Sequence, residues 1–456
     1  MSVTAPTLAG SLRGELIGPD QPGYDDARRL YNAMIDKRPA LIARCVDVSD
    51  VIACVHHAAD QGVDLAVRGG GHNGGGLGSV DGGLVIDLSE LRGVRVDPQA
   101  RTVTVAGGTT IGEVDHATHV FGLAVPAGII SSTGVGGLTL GGGIGHLTRT
   151  YGLTIDNLLS AEVVTADGRV LTASDDENPD LFWALRGGGG NFGVVTSFTF
   201  QARPVSTVVA GPMLWPLEQA AEALAFYTEF MATAPEQLNG FFAFLSVPPA
   251  PPFPEELHLQ KVCGVVWCYA GPAAEAEAAL APVRKAFPPA LDGVGEVPLP
   301  ALQSAFDGLY PHGDQWYWRA DFVETIPEAA IEAHVAHAHE LPTWKSTMHL
   351  YPVDGAAARV APDATAWGYR NARWAQVIVG VDADPANAGD LRDWTVRYWE
   401  ALHPYAAGGA YSNFLMDEGD DRVRASYGDN YDRLARVKAA YDPGNLFHVN
   451  QNIKPS

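Results

Sequence analysis

One stretch of this chain carries residue types that could do chemistry directly: Arg68-Gly69-Gly70-Gly71-His72-Asn73-Gly74-Gly75-Gly76-Leu77-Gly78. Glycine tolerates left-handed dihedrals and close approach, so such a loop can turn backbone N–H groups onto a diphosphate. A histidine stands at its tip, a side chain that is nucleophilic when neutral. Gly69, Gly71 and Gly74 satisfy G-x-G-x-x-G, but that fingerprint needs a helix directly after the glycines. Here an apolar run, Val63–Val67, precedes the loop and another, Leu84–Leu88, follows it. The chain reads strand–loop–strand, and a Rossmann site is rejected.

Two further clusters repeat the composition. Gly134–Gly145 holds seven glycines in twelve residues, Gly187–Gly193 five in seven, and Gly69–Gly83 nine in fifteen. Ordering loops this rich costs much conformational entropy unless a ligand compensates. Backbone packed against something bulky and planar, or phosphorylated, is the reading; tight turns in a glycine-rich β protein are the plainer alternative. His334, His337 and His339 raise a metal site, but on a helix the first two share a face and the third points away. A solvated helical face is the simpler reading, and no metal is expected. The aromatics Trp316, Tyr317, Trp318, Trp344, Tyr351, Trp367, Tyr369 and Trp374 are too many for one core. Some should line a pocket suited to a sugar or an aromatic ring.

The elements that position these residues follow from pattern. Asp25–Lys37 reads as an amphipathic helix. Leu41–Ala43, a helix from Asp50 to Gln61 capped by Ser49, and Val63–Val67 make a β-α-β start. Strands are expected at Leu84–Leu88, Val94–Val96 and Thr102–Ala106, then a helix from Ile111 to Phe121 closed by Gly122. Glu162–Thr165 and Arg169–Thr172 form a hairpin about Asp167-Gly168, Asn178-Pro179 starts a short helix, and Val194–Gln201 alternates as a strand. Farther on, helices (Leu217–Thr233, Ala273–Phe287, Pro327–Leu341, Ala386–Leu402) alternate with strands (Gly240–Val247, Leu257–Tyr269, Trp316–Val323, Met348–Val353, Trp374–Val381). Pro248–Pro254 is a stiff loop between two of them. One antiparallel sheet with helices behind it holds this pattern.

Composition bounds the partners. The 30 basic and 53 acidic residues give −23, which argues against nucleic acid or an anionic membrane surface. No apolar run reaches a membrane-spanning length of about 18 residues, and the first residues lack the layout of a secretory signal. Cys45, Cys54, Cys263 and Cys268 read as buried thiols rather than a disulfide framework. A cytoplasmic location fits these features best.

In order, the His72 loop, Gly134–Gly145 (GVGGLTLGGGIG), Arg149–Leu153 with Asp156-Asn157, Asp180–Gly193 and Tyr441–Ile453 resemble the berberine-bridge-enzyme-like flavoproteins of the vanillyl-alcohol-oxidase group. That group includes 6-hydroxynicotine and oligosaccharide oxidases. The resemblance runs from about Asp36 to Pro455 and implies an α+β enzyme. Its parts would be an N-terminal segment 1–36, a PCMH-type FAD-binding domain 37–206, a substrate-binding domain 207–420 and a C-terminal return 421–456. It implies FAD joined covalently to His72, with Arg68, Gly69, Gly70, Gly71, Asn73, Gly78, Ser132, Thr133, Gly134, Gly137, Gly142, Gly145, Val195, Asn450 and Asn452 around it. Many relatives add a second link through a cysteine; Ile130 stands at that position, so a single link is expected.

The resemblance also implies hydride transfer from a small organic substrate, with molecular oxygen as acceptor. In many relatives a tyrosine of Tyr-x-Asn-Tyr takes the proton; here the segment is Tyr411-Ser412-Asn413-Phe414. Tyr411 is the first candidate base and Tyr151 the second, with Arg370 or Arg149 as a source of the positive charge that would lower a phenol's pKa. Thr133, three places after Ile130, is expected to leave oxygen a path to the ring. The alternatives are a dehydrogenase with another acceptor, an NAD(P)H-using reductase, for which no second nucleotide fingerprint exists, and a flavin-binding protein without turnover.

Overall fold

Short runs of branched apolar residues separated by glycine-rich turns build the first sheet. The computed structural model describes residues 8–456. Glu15–Ile17 (β1), Leu41–Arg44 (β2), Leu65–Arg68 (β3) and Leu84–Asp87 (β4) form a sheet in the order β1-β2-β4-β3. β4 pairs in parallel with β2 and β3, and all its residues are buried, as a parallel strand covered on both faces requires. The covering helix is Val48–Gln61, whose Val51, Cys54, Val55 and Ala58 pack on Ala43, Leu65 and Ile86. Its cap is Asp47, accepting from the Asp50 N–H at 3.1 Å, and not Ser49, which lies inside the first turn.

A second sheet orders Val94–Asp97 (β5), Thr102–Ala106 (β6), Leu158–Val164 (β7), Val170–Ser174 (β8) and Val194–Gln201 (β9) as β5-β6-β9-β7-β8, all antiparallel. Between β6 and β7 lie the Ile111–His119 helix, closed near Gly122 at φ 66°, and a helix, Val135–Gly141, within the second glycine cluster. That second helix is invisible to propensity, because its three glycines disfavour helix. Gly136 packs tightly there, since a Cβ would stand 3.1 Å from the Gly107 carbonyl oxygen. The Pro179–Leu185 helix begins as expected, but the Asn178 amide donates to the Thr172 carbonyl instead of capping the helix.

The third sheet holds eight strands: Thr207–Pro216 (β10), Leu238–Ser246 (β11), Lys261–Tyr269 (β12), Leu291–Asp292 (β13), Gly295–Pro298 (β14), Gln315–Val323 (β15), Thr347–Pro352 (β16) and Trp374–Asp382 (β17). The main order is β13-β10-β12-β11-β16-β17-β15, with β14 also pairing β10. Pro212 and Gly211 hid β10 from sequence reading, as residues that argue against a strand interior. Alternation sorts the two faces. Trp215, Phe242, Phe244, Trp267 and Trp374 face the helices Ala220–Thr233, Ala273–Ala286, Glu328–Ala338 and Ala388–Leu402. Phe241, Trp316, Trp318, Tyr351, Val377 and Val379 face the other way.

Two expectations are corrected by this packing. Asp25–Lys37 is helical only over Tyr24–Ala27. The rest is unwound because Asn32, wholly buried, bonds the Gly74 and Trp316 carbonyls through Nδ2 and receives the Trp316 N–H on Oδ1. His334 is not on a solvated face: it is 1% exposed and bonded to the Tyr398 hydroxyl at 2.7 Å, while His337 stacks on the same ring. Residues beyond Gly419 form two helices, Asp420–Tyr427 and Tyr431–Tyr441, whose Tyr427, Leu434 and Val437 share a core with Phe182, Leu185 and Phe192. All four cysteines are buried and free. No helix among the described residues is long and apolar enough to cross a membrane.

Candidate active site

A cavity of about 340 Å³ lies between the glycine loops and the aromatic face of the eight-stranded sheet, a volume within the range of small-molecule and cofactor sites. One wall is backbone: Arg68–Asn73, Gly128–Ile130, Thr133, Gly134 and Gly189–Asn191. The other is ring and branched side chain: Trp316, Trp318, Thr347, His349, Tyr351, Val377 and Val379. Tyr411–Phe414, Asn450 and Gln451 close it from the C-terminal side.

The glycines serve a close approach. A Cβ on Gly70 would lie 2.3 Å from the Gly134 nitrogen, and one on Gly134 equally near the Gly70 nitrogen. Gly71 has φ 71°, a conformation that favours glycine. The first two glycine clusters therefore touch backbone to backbone. The third is held from behind by Asn191, whose Nδ2 donates to the Gly188 and Gln451 carbonyls. The Lys438 ammonium, 0% exposed, donates to the Asn191 and Phe447 carbonyls and to Asp442. Arg68 lines the cavity while Nη2 bonds Asp87 at 2.7 Å and the Ala27 carbonyl at 2.7 Å; its Nη1 is buried without a partner.

His72 sits in this cavity, with Nε2 3.1 Å from the Ser132 hydroxyl. Burial, with a smaller contribution from His312, lowers its pKa to about 3, so the ring is neutral. Ile130 and Thr133 line the same space. Gly69, Gly78, Gly137 and Val195 also belong to the lining. Gly142, Gly145, Asn452 and Tyr151 lie outside it. Gly142 backs onto Trp367 and Tyr411, Gly145 onto the Ala127 carbonyl, and Asn452 Oδ1 is buried without a partner. Tyr151 packs with Ala124, Leu147 and Val205 and carries Arg203 over its ring at 5.6 Å.

Tyr411 does reach the cavity. Its hydroxyl oxygen accepts the Gly143 N–H and the Asn413 Nδ2 group, each at 2.8 Å. Burial raises its pKa to about 12 against these two donors. No arginine offsets that. Arg370 is committed to Asp156 through both Nη atoms and Arg149 to Asp354 at 2.7 Å.

Sequence reading did not single out Tyr31, His349, Asn191 or Lys438. His349 and Tyr351 share the cavity face of β16 with Thr347, and His349 Nδ1 lies 2.6 Å from the Tyr351 hydroxyl. The period-2 pattern Thr-x-His-x-Tyr is the signal that could have marked them. Burial lowers the His349 pKa to about 3, which leaves a neutral imidazole facing the cavity.

An apolar slot walled by Trp316, Trp318 and Val379, joined to loops whose crossings admit no side chain at Gly70 or Gly134, fits a flat ring system carrying a diphosphate. Comparison with known proteins agrees. Residues 39–174 match the family described as FAD binding domain, and residues 410–454 that described as berberine and berberine like. The chain is similar to (R)-6-hydroxynicotine oxidase of Paenarthrobacter nicotinovorans, at 31% identity over 98% of this chain and 97% of that one. It is likewise 31% identical to an FAD-linked oxidoreductase of Dictyostelium discoideum, over 94% and 92%. The crystal structure of 6-hydroxy-D-nicotine oxidase from Arthrobacter nicotinovorans superposes with a TM-score of 0.88 at 27% identity, covering 99% of this chain and 100% of that one. With its glycine-walled cavity and near full-length similarity to such enzymes, the chain belongs to the berberine-bridge-enzyme-like FAD-linked oxidoreductases.

Proposed function

We propose that this protein is an oxidase of a small hydroxylated or aromatic substrate, with its FAD tethered through His72 alone and molecular oxygen as electron acceptor. The observation that carries this reading is the neutral His72 at the seam between the glycine loops and the aromatic sheet, with Ile130, which cannot form a thioether, in the same cavity. A glucooligosaccharide oxidase of the same fold is described with a cysteinyl and a histidyl link to FAD. Bound FAD supplies an acceptor for hydride from a substrate carbon.

The remaining work falls to side chains. Trp316, Trp318 and Tyr351 offer flat faces for a sugar or an aromatic ring. Tyr411 is the residue assigned to take the substrate proton, with the Gly143 and Asn413 donors favouring the phenolate against a burial that holds its pKa at about 12. His349 supports a second reading of that role, because its imidazole is already neutral and faces the cavity. Thr133, no larger than valine, leaves oxygen room to approach.

Anaerobic mixing with oligosaccharides, hydroxylated aromatics and amines, followed by air, tests the reading. Loss of flavin absorbance and then peroxide release is the expected result. Bleaching without peroxide indicates a dehydrogenase; no bleaching by any compound indicates a flavin-binding protein without turnover.

A further inference from the structure

A histidine on a loop of glycines has no neighbouring side chains of its own to orient its ring. In this protein the ring is oriented from outside. Tyr31, 4% exposed, lies over His72 with ring centroids 4.0 Å apart and planes 20° from parallel. Tyr31 is itself fixed on every side. Its hydroxyl donates to the Tyr310 carbonyl at 2.8 Å and its N–H to the Gly71 carbonyl at 3.2 Å. Its carbonyl accepts the Gly313 N–H at 3.2 Å, and its ring leans on Trp316 at 5.1 Å. His312 stands edge-on to both rings, 5.3 Å from His72 and 4.9 Å from Tyr31. Asn32 next door staples the glycine loop to the start of β15. This strap is the segment whose amphipathic pattern reads as helix. It forgoes the helix to reach His72.

Ser132 fixes the other coordinate. A neutral imidazole carries one N–H and one lone pair. If Ser132 Oγ accepts the Nε2–H, the lone pair resides on Nδ1; the reverse arrangement would leave Nδ1 protonated and the ring without a free lone pair. The Ser132 backbone also bonds the His72 ring and favours its N–H, which agrees with the ring donating toward Ser132.

We propose that Tyr31 and Ser132 are positioning residues for the covalent attachment of the flavin, holding His72 in one ring plane and one neutral tautomer with Nδ1 as the attacking atom. The inference rests on His72 being the attachment residue. Attachment exchanges a C–H bond of the flavin C8-methyl group and the imidazole N–H for a new C–N bond. Two protons and two electrons leave in all, the Nε2 proton by way of Ser132, and dioxygen takes them up as hydrogen peroxide. Burial keeps the ring neutral for this step, since a protonated imidazole has no lone pair to offer.

The test uses the full chain, expressed under riboflavin limitation and then incubated with FAD. Two quantities are followed: flavin bound to the native protein, by absorbance, and flavin that stays with acid-precipitated protein. Wild type gains acid-stable flavin with equimolar peroxide. Tyr31→Leu and Ser132→Ala attach it about 10²-fold more slowly per natively bound flavin, the cost of a misplaced reacting atom. Tyr31→Phe, which keeps the stack, attaches near the wild-type rate. Attachment by both Tyr31→Leu and Ser132→Ala at the wild-type rate overturns the proposal, as does a loss of native flavin that accounts for all the loss of attachment. If Tyr31→Leu does not fold, Ser132→Ala decides: wild-type attachment overturns the proposal, and slow attachment on fully bound flavin upholds it. Acid-stable flavin on His72→Ala instead refutes the attachment residue, whatever Tyr31 does.

Discussion

Replacing Gly134 with alanine tests the backbone contact on which the cavity depends. Gly134 has φ −69° and ψ 133°, dihedrals open to alanine, so the substitution carries no conformational strain of its own. Its cost is steric: the new Cβ would stand 2.3 Å from the Gly70 nitrogen and 2.9 Å from its Cα. Both are main-chain atoms and cannot swing aside as a flexible side chain would. Overpacking of this kind costs about 1 to 3 kcal/mol, which corresponds to a fall in Tm of roughly 2 to 12 °C at the usual conversion for domains of this size. The loops must part, and they carry His72 on one side and Ser132 on the other, so covalent flavin should fall as well. Gly137→Ala is the matched control. It lies in the helix that Gly134 precedes and lines the cavity, but a Cβ there meets no protein atom within 4 Å beyond the helix's own backbone. Alanine in a helix interior is favoured over glycine by about 0.5 to 1 kcal/mol, so flavin-free protein should hold or gain stability while flavin binding weakens. Calorimetry of flavin-free protein and flavin titration measure the two effects. Wild-type Tm and wild-type flavin content in Gly134→Ala would refute the reasoning.

Four further outcomes are expected. Thr133→Leu should slow reoxidation of reduced enzyme in stopped-flow mixing with oxygenated buffer while sparing reduction by substrate; indifference favours the dehydrogenase reading. Tyr411→Phe should slow anaerobic flavin reduction by about 10²-fold, the usual scale for a general base, with bound flavin retained; a small loss there and a large one in His349→Leu would transfer the role to His349. His146 is 1% exposed with neither nitrogen partnered, and burial lowers its pKa to about 3. Below the unfolded value near 6.5 the unfolded chain takes up a proton that the folded chain refuses, so stability falls by about 1.4 kcal/mol per pH unit between the two values; His146→Leu should flatten that acid limb of Tm against pH, and an unchanged slope counts against it. Lys438→Met strands Asp442 in a buried site where both side chains are 0% exposed, and breaking such a pair costs about 3 to 5 kcal/mol. Denaturant midpoints measure it, and a loss under 1 kcal/mol would mean that solvent reaches the pair.

Local pattern determined a good part of this protein. The glycine loop between two strands, the alternating aromatic strands with helices behind them, and the buried thiols are read from periodicity and composition, because burial of one face repeats along a strand or helix. His72 was legible because a lone imidazole amid glycines is conspicuous, and the order of the motifs pointed to a flavoprotein. Tertiary structure alone decided the rest. Asp25–Lys37 has a helical pattern, but Asn32 gains more from carbonyls of the glycine loop and of β15 than from a helix. Val135–Gly141 is helical against propensity, and its Gly136 packs close to the Gly107 carbonyl. β10 contains two prolines and a glycine and still pairs with β12 along eight residues. Tyr411 and Tyr151 are the first and second candidate bases in sequence; Tyr151 packs with Leu147 and Val205, and Tyr411 opens on the cavity. Arg370 and Arg149 could have charged the site, and carboxylates at Asp156 and Asp354 claim them instead. Tyr31 and His72 are far apart in the chain and stacked in space. Sequence pattern records which face of an element is buried; which partner meets that face is set by chain crossings that no local pattern encodes.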